Sequence, residues 1–270
     1  MNKELRIEGE VKSSCSNGFG LVLDALVPIT KKTQKFVAFT LAETLIVIGV
    51  IGIVSALTLP NLNSSTGDKE RVAKVKKIYQ NLQDAFGRAE AVYGPYEEWF
   101  VNEASDAYEA RAKRAGERIT EFMKTSKVCA QETGKGCFTS GKSKTIVNED
   151  HSNFDSDSRL YKIITADGAT ISISNAATPL IIVDIDGPNK GPYTLGKDIF
   201  GFDIGDNGEG VLPCLHNWEL NKILSEDITN KGISAATWII KYDNADYLKL
   251  NSRGKCPNGT TPTEANPRCK

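Results

Sequence analysis

From Phe39 to Leu59 the chain runs 21 residues with one ionisable group, Glu43, and no Lys or Arg. As a helix this run is about 31 Å long, close to the thickness of a bilayer's hydrocarbon core. A helix buried in a soluble domain is seldom apolar for that length. The apolar stretch of a secretory signal is shorter, about 7–15 residues. The run is therefore expected to span a membrane once, over 39–59, and the rest of the chain to be arranged around it. Three lysines (Lys31, Lys32, Lys35) precede it, and Lys69, Arg71, Lys74, Lys76 and Lys77 follow it. Counting only nearby positives, the span's orientation is not set by its flanks.

Composition narrows what the remainder can do. The 270 residues carry 33 Lys+Arg against 34 Asp+Glu, a net charge of −1. No global basic field exists to hold nucleic acid, so no nucleic-acid partner is required. With His at 2, sites built from several histidines are excluded. No catalytic triad, metal cluster or phosphate loop is visible, and a non-enzymatic role is expected. Cys214 lies two residues from His216, but nothing around them supplies the oriented base that a thiol enzyme needs.

Glu43 is the anomaly. A carboxylate inside an apolar span is costly and usually has a partner, unless it merely snorkels to the interface. Around it, Ala38-Phe39-Thr40-Leu41-Ala42-Glu43, the long apolar run and Pro60 resemble the N-terminal signal of type IV pilins and type II secretion pseudopilins. The resemblance implies cleavage by a prepilin peptidase after Ala38 and N-methylation of Phe39. Glu43 then becomes mature residue 5 and Pro60 mature residue 22. Ala38 stands where the family more often has Gly, a substitution that it tolerates. The resemblance covers residues 35–93 closely and 160–250 loosely.

Physical chemistry is consistent with that likeness. A newly exposed α-amine on Phe39 is a cation, and burying it among apolar helices is expensive unless it is paired. Glu43 of a neighbouring subunit would supply the partner and fix register. Gly49, Gly52, Ser55 and Ala56 recur every three or four residues, giving a face on which helices approach closely. Phe39, Glu43, Gly49, Gly52 and Pro60 are thus the expected assembly residues.

Residues 1–38 are expected to be a leader removed by the peptidase. Glu4, Glu8, Glu10 and Asp24 make its first part unlike a signal, and translation is expected to start near Val27 or Ile29. After Pro60, the stretch 61–67 is rich in helix breakers and is expected to act as a hinge. Ser65 and Asp68 have the spacing of a capping box. Val72, Val75, Tyr79, Leu82, Phe86, Ala89 and Tyr93 then line one helical face. Lys74, Lys77, Gln80, Asp84 and Arg88 line the other. The basic run 69–77, with Asp68 just before it and Glu70 within it, reads as a solvated helix face rather than a membrane or nucleic-acid patch.

The head is expected to span 93–270. Tyr96 to Lys124 reads as a second helix, and 148–158 as an exposed polar stretch. Leu160–Ile164 and Thr170–Ile173 flank Asp167-Gly168, a hairpin signature. Leu180–Val183 and Ile199–Ile204 read as further strands, and 234–242 as a late helix. The sum is an α+β fold of three or four antiparallel strands with helices on one side. The family likeness makes it a pilin-like roll, with the long N-terminal helix of 39–92 packed on the sheet.

Asp184, Asp186, Asn189 and Asp198 offer oxygens suited to Ca²⁺, and major pseudopilins bind calcium in such a loop. The spacing is not that of an EF-hand, and a turn made for backbone reasons is the favoured reading. Outside the cytoplasm, Cys129 with Cys137 would close a local loop. Cys256 and Cys269 bracket a loop that a bridge would stabilise by about 3 kcal/mol, and it resembles the C-terminal disulfide loop of pilins. Cys214 is left over.

The likeness implies a subunit held in the bacterial inner membrane with its C-terminal head outside. It would be drawn into a filament by a platform protein and an assembly ATPase, together with other pilin or pseudopilin subunits. A type II secretion pseudopilus is the first expectation, a type IV or DNA-uptake pilus the second. A membrane-anchored enzyme or receptor is the rival from another class.

Overall fold

Two interleaved sets of apolar residues organise the sheet. Ile163, Ile171, Val183 and Phe200 stand opposite one another in successive strands, as do Tyr161, Ile173, Ile181 and Phe202. Alternation of side chains along a strand puts both rows on one face. All eight are buried. The computed structural model describes residues 40–175, 179–205 and 208–269. Side chains are not described for residues 55–65 and 179. The leader expected over 1–38, and Phe39, lie outside the described residues.

The sheet has six antiparallel strands in sequential order: β1 (Thr125–Ala130), β2 (Leu160–Thr165), β3 (Thr170–Asn175), β4 (Pro179–Asp184), β5 (Ile199–Ile204) and β6 (Val211–Pro213). The expected hairpin around Asp167-Gly168 joins β2 to β3, with Gly168 at φ +90°. The expectation of three or four strands is corrected to six. β1 is bulged twice against β2 and β6 has three residues, so neither carries a clean alternation.

The chain divides into two compact units between Gly52 and Ile53. Helix α1 is Leu41–Tyr93. Its second half packs into the main core through Val75, Ile78, Leu82, Ala85, Phe86 and Ala89, together with the two sheet rows. Tyr79 stacks on Phe202 at 5.8 Å between ring centroids. This is the apolar face expected from the spacing.

The stretch expected to act as a hinge, unwinding when subunits join a filament, is helical in the single chain. α1 is helical throughout 60–67. Residues such as Asn, Ser and Gly each cost up to about 1 kcal/mol in a helix, and extending an existing helix avoids the nucleation penalty.

The second helix is also corrected. Tyr96–Phe100 is a 3₁₀ turn and α2 is Tyr108–Thr120, with irregular chain between. Asn102 and Ser105 sit in that gap, where polar side chains compete with helix hydrogen bonding. Trp99 and Phe100 of the turn are buried beside Phe86 and Tyr96. α2 lies close on β2 because Gly116 has no side chain; a Cβ there would fall 2.2 Å from the Tyr161 ring. A short helix, α3 (Leu220–Lys222), runs into a π turn (Ile223–Asp227), and α4 is Ala235–Tyr242. α4 matches the expected late helix.

The other face of the sheet carries a second apolar cluster: Phe138, Phe154, Leu160, Ile182, Tyr193, Leu195 and Ile199. Irregular segments around 138–159 and 188–198 supply its cover. The stretch 148–158 is therefore not uniformly exposed, since Phe154 and Asp155 are buried. This face also holds Lys162, which is fully buried and donates to the carbonyls of Asp155 (2.7 Å) and Asp157 (3.4 Å).

Candidate functional site

The expected assembly surface begins at the start of α1. Thr40 directly precedes the helix. Its N–H and its hydroxyl both donate to Glu43 Oε2 at 2.9 Å, and the Glu43 N–H donates back to Thr40 Oγ1 at 3.2 Å. This reciprocal pattern is a capping box. It satisfies backbone donors at the helix start and holds a carboxylate where the helix dipole favours an anion. Glu43 thus has a role within its own chain. The Thr-x-x-Glu spacing signals this in the sequence, inside the motif that pointed only to pairing between subunits.

Beyond the cap, α1 exposes a continuous apolar surface. Leu41, Leu45, Ile46, Val47, Ile48, Val50, Ile51, Ile53 and Val54 are all 53–78% exposed. Soluble monomers rarely present so many large apolar side chains together. Gly49 and Gly52 lie within this stretch, and a Cβ at either would meet no atom within 4 Å. Ala38 and Phe39 lie outside the described residues, and the Pro60 side chain is not described. Among the described residues, no helix is long and apolar enough to cross a membrane. The apolar run continues beyond Val54 into residues whose side chains are not described.

The end of β4 and the loop from it to β5 hold the four expected calcium ligands. Asp184 and Asp198 are fully buried. Asp184 Oδ1 accepts from the N–H groups of Asp186 (3.1 Å) and Gly187 (3.0 Å). Asp198 accepts from the N–H groups of Tyr193 and Thr194. Burial, and then the charge of Asp198, push the Asp184 carboxyl up to about 7. Burial likewise raises Asp198. Asp186 turns to Lys74 of α1 at 2.7 Å, and Asn189 is exposed. These side chains close turns and clasp α1. Arg71 adds to the clasp by donating to the Lys197 carbonyl at 2.6 Å. Among the described residues, no group of three or more His, Cys, Asp or Glu is placed to hold a metal ion. Asp184 Oδ2 is buried without a hydrogen-bond partner.

Both expected disulfides form, Cys129–Cys137 and Cys256–Cys269. Cys214 is free and buried. Its thiol donates to Asp203 Oδ1 at 3.2 Å, and burial together with that carboxylate pushes its ionisation far above the usual thiol range. A thiol so protonated is a poor nucleophile. Comparison with protein-family models, curated proteins and solved structures finds no match.

Proposed function

We propose that the chain is a pilin-like structural subunit of a type II secretion pseudopilus. Prepilin peptidase cuts after Ala38 and methylates Phe39. The span 39–59 holds the subunit in the inner membrane with its head outside. A platform protein and an assembly ATPase then draw it into a filament with sibling subunits. The observation that carries this reading is the junction of signal and helix. Thr40 and Glu43 cap α1 at the predicted cleavage site, and an exposed apolar surface follows at once. A capped carboxylate at mature position 5 is positioned to receive the Phe39 α-amine of an adjoining subunit, and the apolar surface to pack in a bundle. The α+β head, with α1 on an antiparallel sheet and a C-terminal disulfide loop, is consistent with a pilin-like roll.

Glu43→Leu tests the reading in cells that carry the secretion machine. Cleavage after Ala38 should persist while incorporation into filaments is lost. An anchored enzyme would be unharmed by the same change, because an anchor gains nothing from a carboxylate in its span.

A further inference from the structure

Asn258-Gly259-Thr260 lies inside the loop that the Cys256–Cys269 bridge closes, and all three residues are exposed. An asparagine followed by glycine is open to attack on its own side-chain amide, because glycine has no side chain to hinder the approach. A Cβ at Gly259 would meet nothing within 4 Å, so the surrounding fold does not crowd the pair either.

Hydrogen bonds within the turn oppose that attack. The Gly259 N–H, whose nitrogen would have to react, donates to the Cys256 carbonyl at 2.8 Å. Asn258 Oδ1 accepts from the Thr260 N–H at 3.1 Å and from Thr260 Oγ1 at 2.7 Å, which fixes the side chain in an Asx turn. The Cys256 N–H donates to the Thr260 carbonyl at 2.8 Å and closes the turn.

Both backbone bonds of the turn hang on Cys256. That residue is buried, and its sulfur is tied to Cys269, whose N–H donates to Asp246 Oδ2 at 2.9 Å in the 3₁₀ turn Asp246–Lys249. The bridge therefore joins the anchor of the turn to the body of the head. Glu264 also ties the loop to α4, through Lys241 (3.0 Å) and Tyr242 (2.8 Å), but it lies beyond the turn.

We propose that Asn258 is a deamidation site held in check by the Cys256–Cys269 bridge. A dithiol reductant opens the bridge by thiol–disulfide exchange and is itself oxidised. The turn then opens locally and frees the Gly259 N–H. That nitrogen gives up its proton to solvent and bonds to Cγ of Asn258. The Cγ–Nδ2 bond breaks, and ammonia leaves after taking up a proton. Water then opens the resulting succinimide ring at either carbonyl, giving aspartate or isoaspartate. The product carries a new carboxylate and, as isoaspartate, an extra backbone carbon. A chain that has once lost the bridge keeps this mark after the bridge re-forms.

Peptide mapping by mass spectrometry of the full chain in detergent, incubated at neutral pH with and without a dithiol, tests it. Asn207-Gly208, another Asn-Gly pair of the head, lies outside both disulfide loops and serves as an internal clock. Reduction should speed conversion at Asn258 relative to Asn207 by about tenfold, the factor that freeing a hydrogen bond of this kind permits. Cys256→Ser with Cys269→Ser should show the fast rate without reductant. Cys129→Ser with Cys137→Ser, which removes the other bridge, should keep the slow one. Equal rates at Asn258 with and without the bridge, or an equal acceleration at Asn207, would overturn the proposal.

Discussion

Gln83 of α1 exchanges two hydrogen bonds with the backbone of Val211 in β6. Its Nε2 donates to the Val211 carbonyl at 2.7 Å, and the Val211 N–H donates to its Oε1 at 3.2 Å. A side-chain amide thus takes the place of a neighbouring strand at one edge of the sheet. Unpaired edges invite pairing with other chains, so this contact both docks the helix and blunts the edge. Gly210 makes room for it, since a Cβ there would lie 2.7 Å from Gln83 Oε1. Gln83→Glu keeps the acceptor and loses the donor. It should destabilise the head by about 1–3 kcal/mol. Denaturant unfolding of the full chain in detergent, against wild type, measures this directly.

The buried carboxylate of Asp184 gives a pH dependence of definite sign. Its folded-state value is about 7, against 3.8 for the free group. The folded state therefore binds the proton more tightly. Its stabilising contribution is complete below about 4 and is lost as pH rises through about 7. Asp184→Asn keeps an acceptor for the Asp186 and Gly187 N–H groups and removes the titration. The variant should gain stability relative to wild type between pH 5 and pH 8, by on the order of a few kcal/mol. Thermal midpoints of the two proteins at both pH values decide it. A constant difference would contradict the assignment.

The two disulfides close loops with sequence separations of 8 and 13 residues. Loop entropy assigns them about 2.5 and about 3 kcal/mol respectively. Cys256→Ser with Cys269→Ser should cost the larger amount and free the C-terminal segment next to α1. Limited proteolysis should then cut between residues 250 and 268 before it cuts elsewhere in the head.

Thr40 separates the two roles of Glu43. Thr40→Ser retains the capping hydroxyl and should preserve assembly. Thr40→Val removes it at a cost of about 1 kcal/mol in helix stability. It should lower filament yield while leaving the Glu43 carboxyl group in the chain. Quantitative immunoblotting of sheared filaments from cells expressing each variant provides the readout.

Much of this architecture was legible in the sequence, for physical reasons that can be named. β2 to β5 are rich in Ile, Val and Phe, and four of their residues in each of two rows meet across the sheet. The apolar spacing from Val72 to Tyr93 gave the packed face of α1. Lys162 and Asp184 were harder to place. A charged residue normally marks an exposed position, but both are buried because adjoining turns, whose folded course the sequence pattern does not show, supply their hydrogen-bond partners. Edge strands β1 and β6 were hidden for a different reason. Thr125–Ala130 has three consecutive exposed residues, Ser126 to Val128, and β6 is too short to show a period. At the start of α1, the family-like motif drew attention to Glu43 as a candidate partner for another subunit. Its bond to Thr40 is a local relationship that a motif match does not express.

The central claim concerns how the chain begins in its mature form. Mass spectrometry of the N-terminal peptide, from protein isolated in its native membrane, tests it most directly. A peptide starting at N-methylated Phe39 is the expected result, and it would establish processing, orientation and filament class together. An N-terminus at Met1, or a cut near Leu59, would contradict the pilin-like reading.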